Sequence, residues 1–185
     1  NTSNSEKLKA YNLVLARYFR DIKDTAGYFR YATVLYDGYY MKISVDSIET
    51  RDSLNRMQLL SNAPQQELSS NGNTRQFQRS ITYTSTQQFF ASDLNAGAFS
   101  FYTMKADDHL LKKALQWGSR SLEFFKTPQN LDTYARLLYK TGKRDSAVYK
   151  QQKAVNLQLK NKFAAGEYDT VLKKMQKGEM KKDEY

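Results

Sequence analysis

The sequence predicts an all-α fold in which antiparallel helix hairpins stack side by side. Three observations support this prediction. The 185 residues include only two prolines and eight glycines, which are few for a chain of short strands and turns. Apolar residues recur at alternating intervals of three and four, the spacing of one helix face. Small residues also recur at matching places in two successive helix pairs, about 33 residues apart.

Composition limits the class of protein further. With 40% hydrophobic and 26% charged residues, the chain is expected to be globular, and its length suits a single all-helical domain, 1–185. It has no apolar run near the ~18 residues that a membrane span needs. The absence of cysteine excludes disulfides, thiol catalysis and cysteine-based metal sites.

The net charge of +10 is compatible with an acidic protein partner, a nucleic acid or an anionic membrane surface. The lysines are spread along the chain and are denser near its end, and they do not form one run interleaved with glycines and aromatics. Nucleic acid is therefore a less favoured partner, and a solvated lysine-rich surface is the simplest interpretation of the charge.

Residues 5–60 are predicted to form an N-terminal helical hairpin region. Over the first helix, 5–23, the 3-4-3-4 spacing places five apolar residues in one seam. These are Leu8, Tyr11, Leu15, Tyr18 and Ile22. A second helix is expected to begin with Thr25 as its cap, and Gly38 near its end is a candidate for close helix approach. Its apolar stripe consists of Tyr28, Ala32, Leu35 and Tyr39. The short break between the two helices turns them back on each other.

The middle of the chain gives mixed signals. A third helix is predicted from about Val45. Residues 61–75 are polar and contain Pro64 and Gly72, so we predict a loop. Residues 76–95 combine apolar side chains that need burial with a Thr/Tyr run of strand-like propensity, and we interpret them as a helix.

Residues 94–179 give the strongest signal. They predict helices separated by short breaks, with Gly142 as the left-handed residue after one of them. Small side chains stand where the two helices of a pair come closest, because large ones would push the helices apart. The matching positions are Ala98 with Ala135, Ala114 with Ala147, and Ser121 with Ala154. The last helix is expected to cap the array with a polar outer face.

In this pattern residues 94–179 resemble tetratricopeptide repeat (TPR) units. More narrowly, they resemble the helical region that accompanies thioredoxin-like domains in some exported proteins of Gram-negative bacteria. The residues with this resemblance are Ala114, Trp117, Ser121, Asp132, Thr133, Tyr134, Ala135, Leu137, Leu138, Tyr139, Gly142, Ala147 and Ala154. The resemblance implies a right-handed superhelix and a bacterial, periplasmic or otherwise exported location, with a cytoplasmic location as the alternative. Thioredoxins use a Cys-x-x-Cys motif, so thiol exchange by this cysteine-free chain is excluded.

The resemblance also implies where a ligand would lie, because the first helices of successive TPR units line a concave groove. The groove candidates are Asn95, Phe99, Tyr102, Asp132, Arg136, Tyr139 and Lys140. This surface is expected to accept a peptide with acidic side chains or a C-terminal carboxylate, through charge-assisted hydrogen bonds from Arg136 and Lys140. The full residue set of the carboxylate-clamp TPR subtype is not present.

No arrangement of residues in the sequence predicts catalysis. His109, the single histidine, follows Asp107 and Asp108 in a predicted surface loop, and three adjacent loop residues rarely reach one metal ion. No glycine-rich loop has the pattern of a phosphate-binding loop. We therefore expect no enzyme activity, no metal and no cofactor. Trp117 is interpreted as a core residue.

The leading hypothesis is a non-catalytic TPR-type scaffold that binds a protein or peptide, including an acidic one. Two alternatives stay open. The chain could be the helical accessory domain of a thioredoxin-like redox protein, or a basic protein that binds anionic surfaces or nucleic acid, which predicts a steep salt dependence. The sequence gives neither the partner's identity nor the oligomeric state.

Overall fold

The computed structural model describes residues 4–71, 74–78 and 81–180. Within them the chain forms eight α-helices, a short 3-10 helix and one antiparallel β-hairpin, so the all-α prediction is confirmed with one local exception. The helices are α1 (Asn4–Asp21), α2 (Thr25–Gly38), α3 (Val45–Asn62), α4 (Thr86–Thr103), α5 (Asp108–Phe124), α6 (Pro128–Lys140), α7 (Arg144–Lys160) and α8 (Gly166–Lys177). The 3-10 helix is Tyr40–Lys42, and the strands are β1 (Gln66–Asn71) and β2 (Thr74–Gln78).

Helices α1 and α2 pack along each other as the predicted hairpin. The turn between them passes through Lys23, whose φ is +61°. Asp24, not Thr25, caps α2, since its carboxylate accepts a backbone N–H of the first turn at 3.0 Å. Tyr39 of the predicted α2 stripe is half-buried. The buried members of that stripe are Tyr28, Ala32 and Leu35.

The face of α1 that packs on α2 is not the face that the spacing predicted. Helix α1 buries Asn12 and Ala16 and stacks the ring of Phe19 on that of Tyr31, with centroids 5.3 Å apart. The small side chain of Ala16 lets the two helices approach closely, which a face of Leu and Tyr would prevent. Of the predicted seam, Leu15 is half-buried, and the other residues are 51–61% exposed. These are Leu8, Tyr11, Tyr18 and Ile22.

The segment predicted as a loop, 61–75, is largely a β-hairpin. Helix α3 continues to Asn62, and β1 then pairs with β2 in antiparallel register, with an irregularity between Glu67 and Ser69. The polar composition concealed this hairpin, although Asn-Gly at 71–72 is a strong signal for a hairpin turn.

Helix α4 begins ten residues later than the helix predicted from residue 76, because Ser85 fixes its first residue. The Ser85 hydroxyl accepts the N–H of Gln88 at 3.1 Å, and the Gln88 side chain accepts the N–H of Ser85 at 3.1 Å. This reciprocal capping box satisfies two donors at the start of the helix. The β-branched run before it stays out of the helix, as its propensity favours.

The recurring small residues are buried at the helix contacts, as predicted. Each of the six is 0% exposed, in α4, α5, α6 or α7. They are Ala98, Ala114, Ser121, Ala135, Ala147 and Ala154. Gly142 follows α6 with a φ of +84°, which confirms its predicted left-handed conformation. Close packing within the α4–α5 and α6–α7 pairs therefore depends on these small side chains.

Trp117 belongs to the main apolar cluster, to which the six helices α1 to α6 and the 3-10 helix contribute. Its side chain is 0% exposed, and its ring lies 4.8 Å from the rings of both Tyr36 and Phe101, measured between centroids. The indole N–H donates to Asp37 at 2.7 Å, and Asp37 also pairs with Lys113. The prediction that Trp117 is a core residue is confirmed.

Close approach of α2 and α4 depends on Gly97, not on the predicted Gly38. A Cβ at Gly97 would overlap the ring of Tyr36, whereas a Cβ at Gly38 would meet nothing within 4 Å. Tyr36 is itself buried between Tyr40 and Trp117, so its ring has little room to move.

We expect Gly97→Ala to lower the free energy of unfolding by about 1–3 kcal/mol, because overpacking outweighs the gain in helix propensity. Urea unfolding followed by far-UV circular dichroism measures the change. Gly38→Ala is the matched control and should be neutral or stabilise the chain by up to about 1 kcal/mol. Equal effects of the two variants would contradict the close approach at Gly97.

Candidate functional site

Three helices meet at the candidate site. Helices α4 and α6 are the first helices of successive hairpins, α4–α5 and α6–α7, and they contact each other directly. Helix α8 follows α7 and also contacts α6. It buries Val171, Leu172 and Met175, and Val171 and Met175 join Ala135 and Ala147 in a second apolar cluster.

A cleft of about 250 Å³ opens between α4, α6 and α8, and we call it the α4–α6–α8 cleft. Its lining residues are Phe99, Gln129, Asp132, Thr133, Arg136, Glu167 and Tyr168. The cleft is smaller than the ~300–1,000 Å³ that is usual for a drug-sized ligand or cofactor. Its size suits a single side chain or chain end.

Arg136 places a permanent positive charge in this cleft. Its Nε donates to Asp132 Oδ2 at 2.7 Å, and its Nη2 donates to Glu167 Oε1 at 3.4 Å. Burial acts to lower the pKa of Arg136, but the Asp132 carboxylate outweighs it, and the pKa lies above its usual range. The side chains of Arg136 and Asp132 are 13% and 11% exposed, whereas that of Glu167 is 83% exposed. Arg136 therefore has one firmly held and one loosely held ion-pair partner among the described residues.

The side chain of Gln151 on α7 holds Asp132, the partner of Arg136, in place by a hydrogen bond. Its Nε2 donates to Asp132 Oδ1 at 2.8 Å and to the carbonyl oxygen of Tyr168 at 3.0 Å, which links α6, α7 and α8. Gln151 is 0% exposed. Gln151 was not among the predicted site residues, although its position on the buried face between Ala147 and Ala154 indicates a buried hydrogen bond.

Two predicted groove residues are not on a groove surface. Asn95 and Tyr102 are buried, at 4% and 1% exposure, because α4 is covered by α5 on one side and contacts α2 and α6 on the others. Their side chains cannot contact a peptide in the α4–α6–α8 cleft, and their inclusion in the predicted groove is wrong. Phe99, which is 43% exposed, does line the cleft.

Tyr139 and Lys140 do not line the cleft with Arg136. The Lys140 ammonium donates to the carbonyl oxygen of Tyr102 at 3.0 Å and lies 4.9 Å from the centre of the Tyr102 ring. Burial, followed by the nearby charge of Lys105, holds the pKa of Lys140 below its usual range. The guanidinium of Arg144 lies over the half-buried Tyr139 ring at 5.7 Å. The structure therefore does not place Lys140 beside Arg136 in the cleft, where both were expected to donate hydrogen bonds to the carboxylates of a peptide.

A second concave surface, the lysine groove, lies between α5, α6 and α7 and has a volume of about 430 Å³. Three leucines and four lysines contribute to its lining. They are Leu122, Leu131 and Leu157, and Lys126, Lys150, Lys153 and Lys160. The part of the chain that the structure describes places no carboxylate in this lining. Three of the four lysines share one face of α7, a spacing that was visible in the sequence.

The residues considered for metal binding or catalysis lie away from both surfaces. His109 is exposed in the first turn of α5, and the Asp107 carboxylate caps that helix by accepting the N–H of Leu110 at 2.8 Å. Across residues 4–71, 74–78 and 81–180, no group of three His, Asp or Glu side chains is placed to hold a metal ion. In the same described ranges, no helix combines the length and apolar character needed to cross a bilayer.

Comparison of the chain with protein-family models, with curated proteins and with solved structures finds no match.

Proposed function

We propose that this chain is a non-catalytic scaffold module of TPR type that binds a peptide segment of another protein in the α4–α6–α8 cleft. Three observations support this proposal. The first helices of successive hairpins lie side by side, and small residues at equivalent positions are buried within each pair. The observation with the greatest weight is the buried Arg136, whose second partner, Glu167, is exposed.

The proposed ligand group is a carboxylate, either an acidic side chain or a chain end. Arg136 is held by Asp132, which keeps the guanidinium in place before a ligand arrives. The Glu167 contact is long, at 3.4 Å, and exposed, so it contributes little stability. An incoming carboxylate can replace Glu167 and gain charge-assisted hydrogen bonds from the same guanidinium. Phe99 at the rim offers an apolar contact for the neighbouring side chain.

The lysine groove supports a second candidate function, the binding of an anionic partner. The three leucines of this groove can contact an apolar group of the partner, and its four lysines attract negative charge. Binding there would depend strongly on salt, in the way that the net charge of +10 led us to expect.

A random peptide library with free C-termini, selected on the wild-type chain, tests the proposed function. We expect selected peptides to contain an acidic residue or to depend on the terminal carboxylate. Fluorescence anisotropy should show that Glu167→Gln binds them about two- to five-fold more tightly, because the competing carboxylate is removed. Arg136→Lys should bind them at least about tenfold more weakly, because a lysine lacks the forked donor pair.

The control variant is Lys150→Gln/Lys153→Gln, which alters the lysine groove and leaves the α4–α6–α8 cleft intact. Thermal unfolding of every variant verifies that the fold is retained. If the peptides lose binding in this control but not in Arg136→Lys, and lose it at high salt, the lysine groove is the binding surface and the proposed cleft function is wrong.

A further inference from the structure

Helix α1 and the residue that follows it present an apolar stripe that is largely exposed in the described part of the chain. The stripe consists of Leu8, Tyr11, Tyr18 and Ile22, which are 51–61% exposed, and of the half-buried Leu15, and the adjacent Val14 is 65% exposed. The buried face of α1, around Asn12 and Ala16, lies roughly a third of a turn away. Four exposed large apolar residues and the half-buried Leu15 in one continuous row form a larger exposed surface than scattered single residues do, and such rows mark interaction sites.

The spacing of the stripe is that of a coiled coil. Leu8, Leu15 and Ile22 fall at the a positions of a heptad repeat, and Tyr11 and Tyr18 fall at the d positions. One edge of the stripe, with Asn12 and Phe19 at e, is packed towards α2. The opposite edge is therefore the one that selects a partner helix.

That opposite edge has complementary charges at its two ends. Its g positions are Lys7, Val14 and Asp21, and all three are exposed. The Asp21 carboxylate has only a 3.3 Å contact with its neighbour Arg20, in an exposed setting, and such contacts contribute little. When two copies of α1 pair antiparallel, g positions face g positions, so Lys7 of each copy meets Asp21 of the other, and Val14 meets Val14.

The apolar layers also match in the antiparallel register. Leu8 then faces Tyr18 of the second copy and Tyr11 faces Leu15, so each layer combines one large and one smaller side chain. A parallel pair would instead stack Tyr on Tyr and Leu on Leu, and would place Lys7 opposite the uncharged, buried Asn12. We propose that the α1 stripe is an interface for a second copy of this chain, with the two α1 helices antiparallel and related by a two-fold axis.

Sedimentation velocity of the chain over micromolar to hundreds of micromolar concentrations tests this proposal. We expect a reversible dimer in the wild type and a monomer with an unchanged melting temperature in Tyr11→Glu/Tyr18→Glu, since both positions are exposed and contribute little to the fold. Lys7→Glu and Asp21→Lys should each weaken dimerisation by about tenfold, because like charges then face each other in both symmetric contacts.

Two combinations of these substitutions test the antiparallel register of the two α1 helices. The double variant Lys7→Glu/Asp21→Lys should dimerise about as well as the wild type, and so should an equimolar mixture of the two single variants. Arg17→Glu is the matched control, because it makes the same change in charge on an exposed part of α1 away from the stripe.

A wild-type chain that stays monomeric throughout the concentration range would overturn the proposal. So would a dimer that Tyr11→Glu/Tyr18→Glu leaves intact. Binding of the monomer to phosphatidylglycerol vesicles that requires Tyr11 and Tyr18 would assign the stripe to a membrane surface instead.

Discussion

Replacing Trp117 by alanine is expected to lower the free energy of unfolding by about 3–5 kcal/mol. The side chain is 0% exposed and lies between Tyr36 of α2 and Phe101 of α4, so its removal opens a cavity where these helices meet α5. The lost indole N–H also leaves Asp37 without a hydrogen bond of 2.7 Å. Urea unfolding at several temperatures, followed by circular dichroism, measures the loss.

Trp117→Phe separates the loss of aromatic packing from the loss of the hydrogen bond to Asp37. It retains an aromatic ring but removes the donor to Asp37, which still has Lys113 as a partner. We expect a smaller loss of about 1–3 kcal/mol. A Trp117→Ala variant within about 1 kcal/mol of the wild type would contradict the central position of this residue in the core.

Asp132→Ala is expected to lower the free energy of unfolding by about 3–5 kcal/mol, because removing one partner of a buried ion pair leaves the charge of the other partner uncompensated. Arg136 would keep its charge while losing the carboxylate at 2.7 Å, with the exposed Glu167 as its remaining ion-pair partner among the described residues. Gln151, which is fully buried, would lose an acceptor at 2.8 Å. Chemical unfolding gives the free energy directly.

Asp169→Ala is a matched control for this prediction. Asp169 and Lys173 have the same i, i+4 spacing as Asp132 and Arg136, and their pair distance is also 2.7 Å, but their side chains are 39% and 67% exposed. We expect a loss below about 1 kcal/mol. Similar losses for the two variants would show that burial does not strengthen the Asp132–Arg136 pair.

Most of the helical framework was predictable because it depends on local patterns. The six recurring small residues predicted the closest helix contacts, and each of them is fully buried. Gly142 predicted the end of α6 through its need for a positive φ. These signals lie within a short window of sequence. The contacts between consecutive helices and the positions of helix ends both depend on residues that are close together along the chain.

The face that each helix buries was less predictable. In α1 the spacing identified an apolar row correctly, but the helix packs on α2 through Ala16 and Phe19. Spacing shows that a row of apolar residues shares a face, and it does not show which partner covers that face. The hairpin β1–β2 was missed for a related reason, since its backbone pairing needs no apolar residues.

The candidate site was predictable only in part. The repeat pattern placed Phe99, Asp132 and Arg136 in a common surface, and the structure brings these three together. The repeat pattern could not show that Asn95 and Tyr102 are buried, because their burial depends on how helices from distant parts of the sequence cover α4. The roles of the exposed carboxylate on α8 and the buried amide on α7 depend on the same long-range packing.

A double-mutant cycle tests whether a peptide carboxylate replaces Glu167 as the second ion-pair partner of Arg136. The wild type and Arg136→Lys are titrated with one selected peptide, in which each carboxylate in turn is replaced by its amide. We expect one carboxylate to couple to Arg136 with about 1.5–3 kcal/mol. A coupling near zero for every carboxylate, with both chains folded, would contradict it.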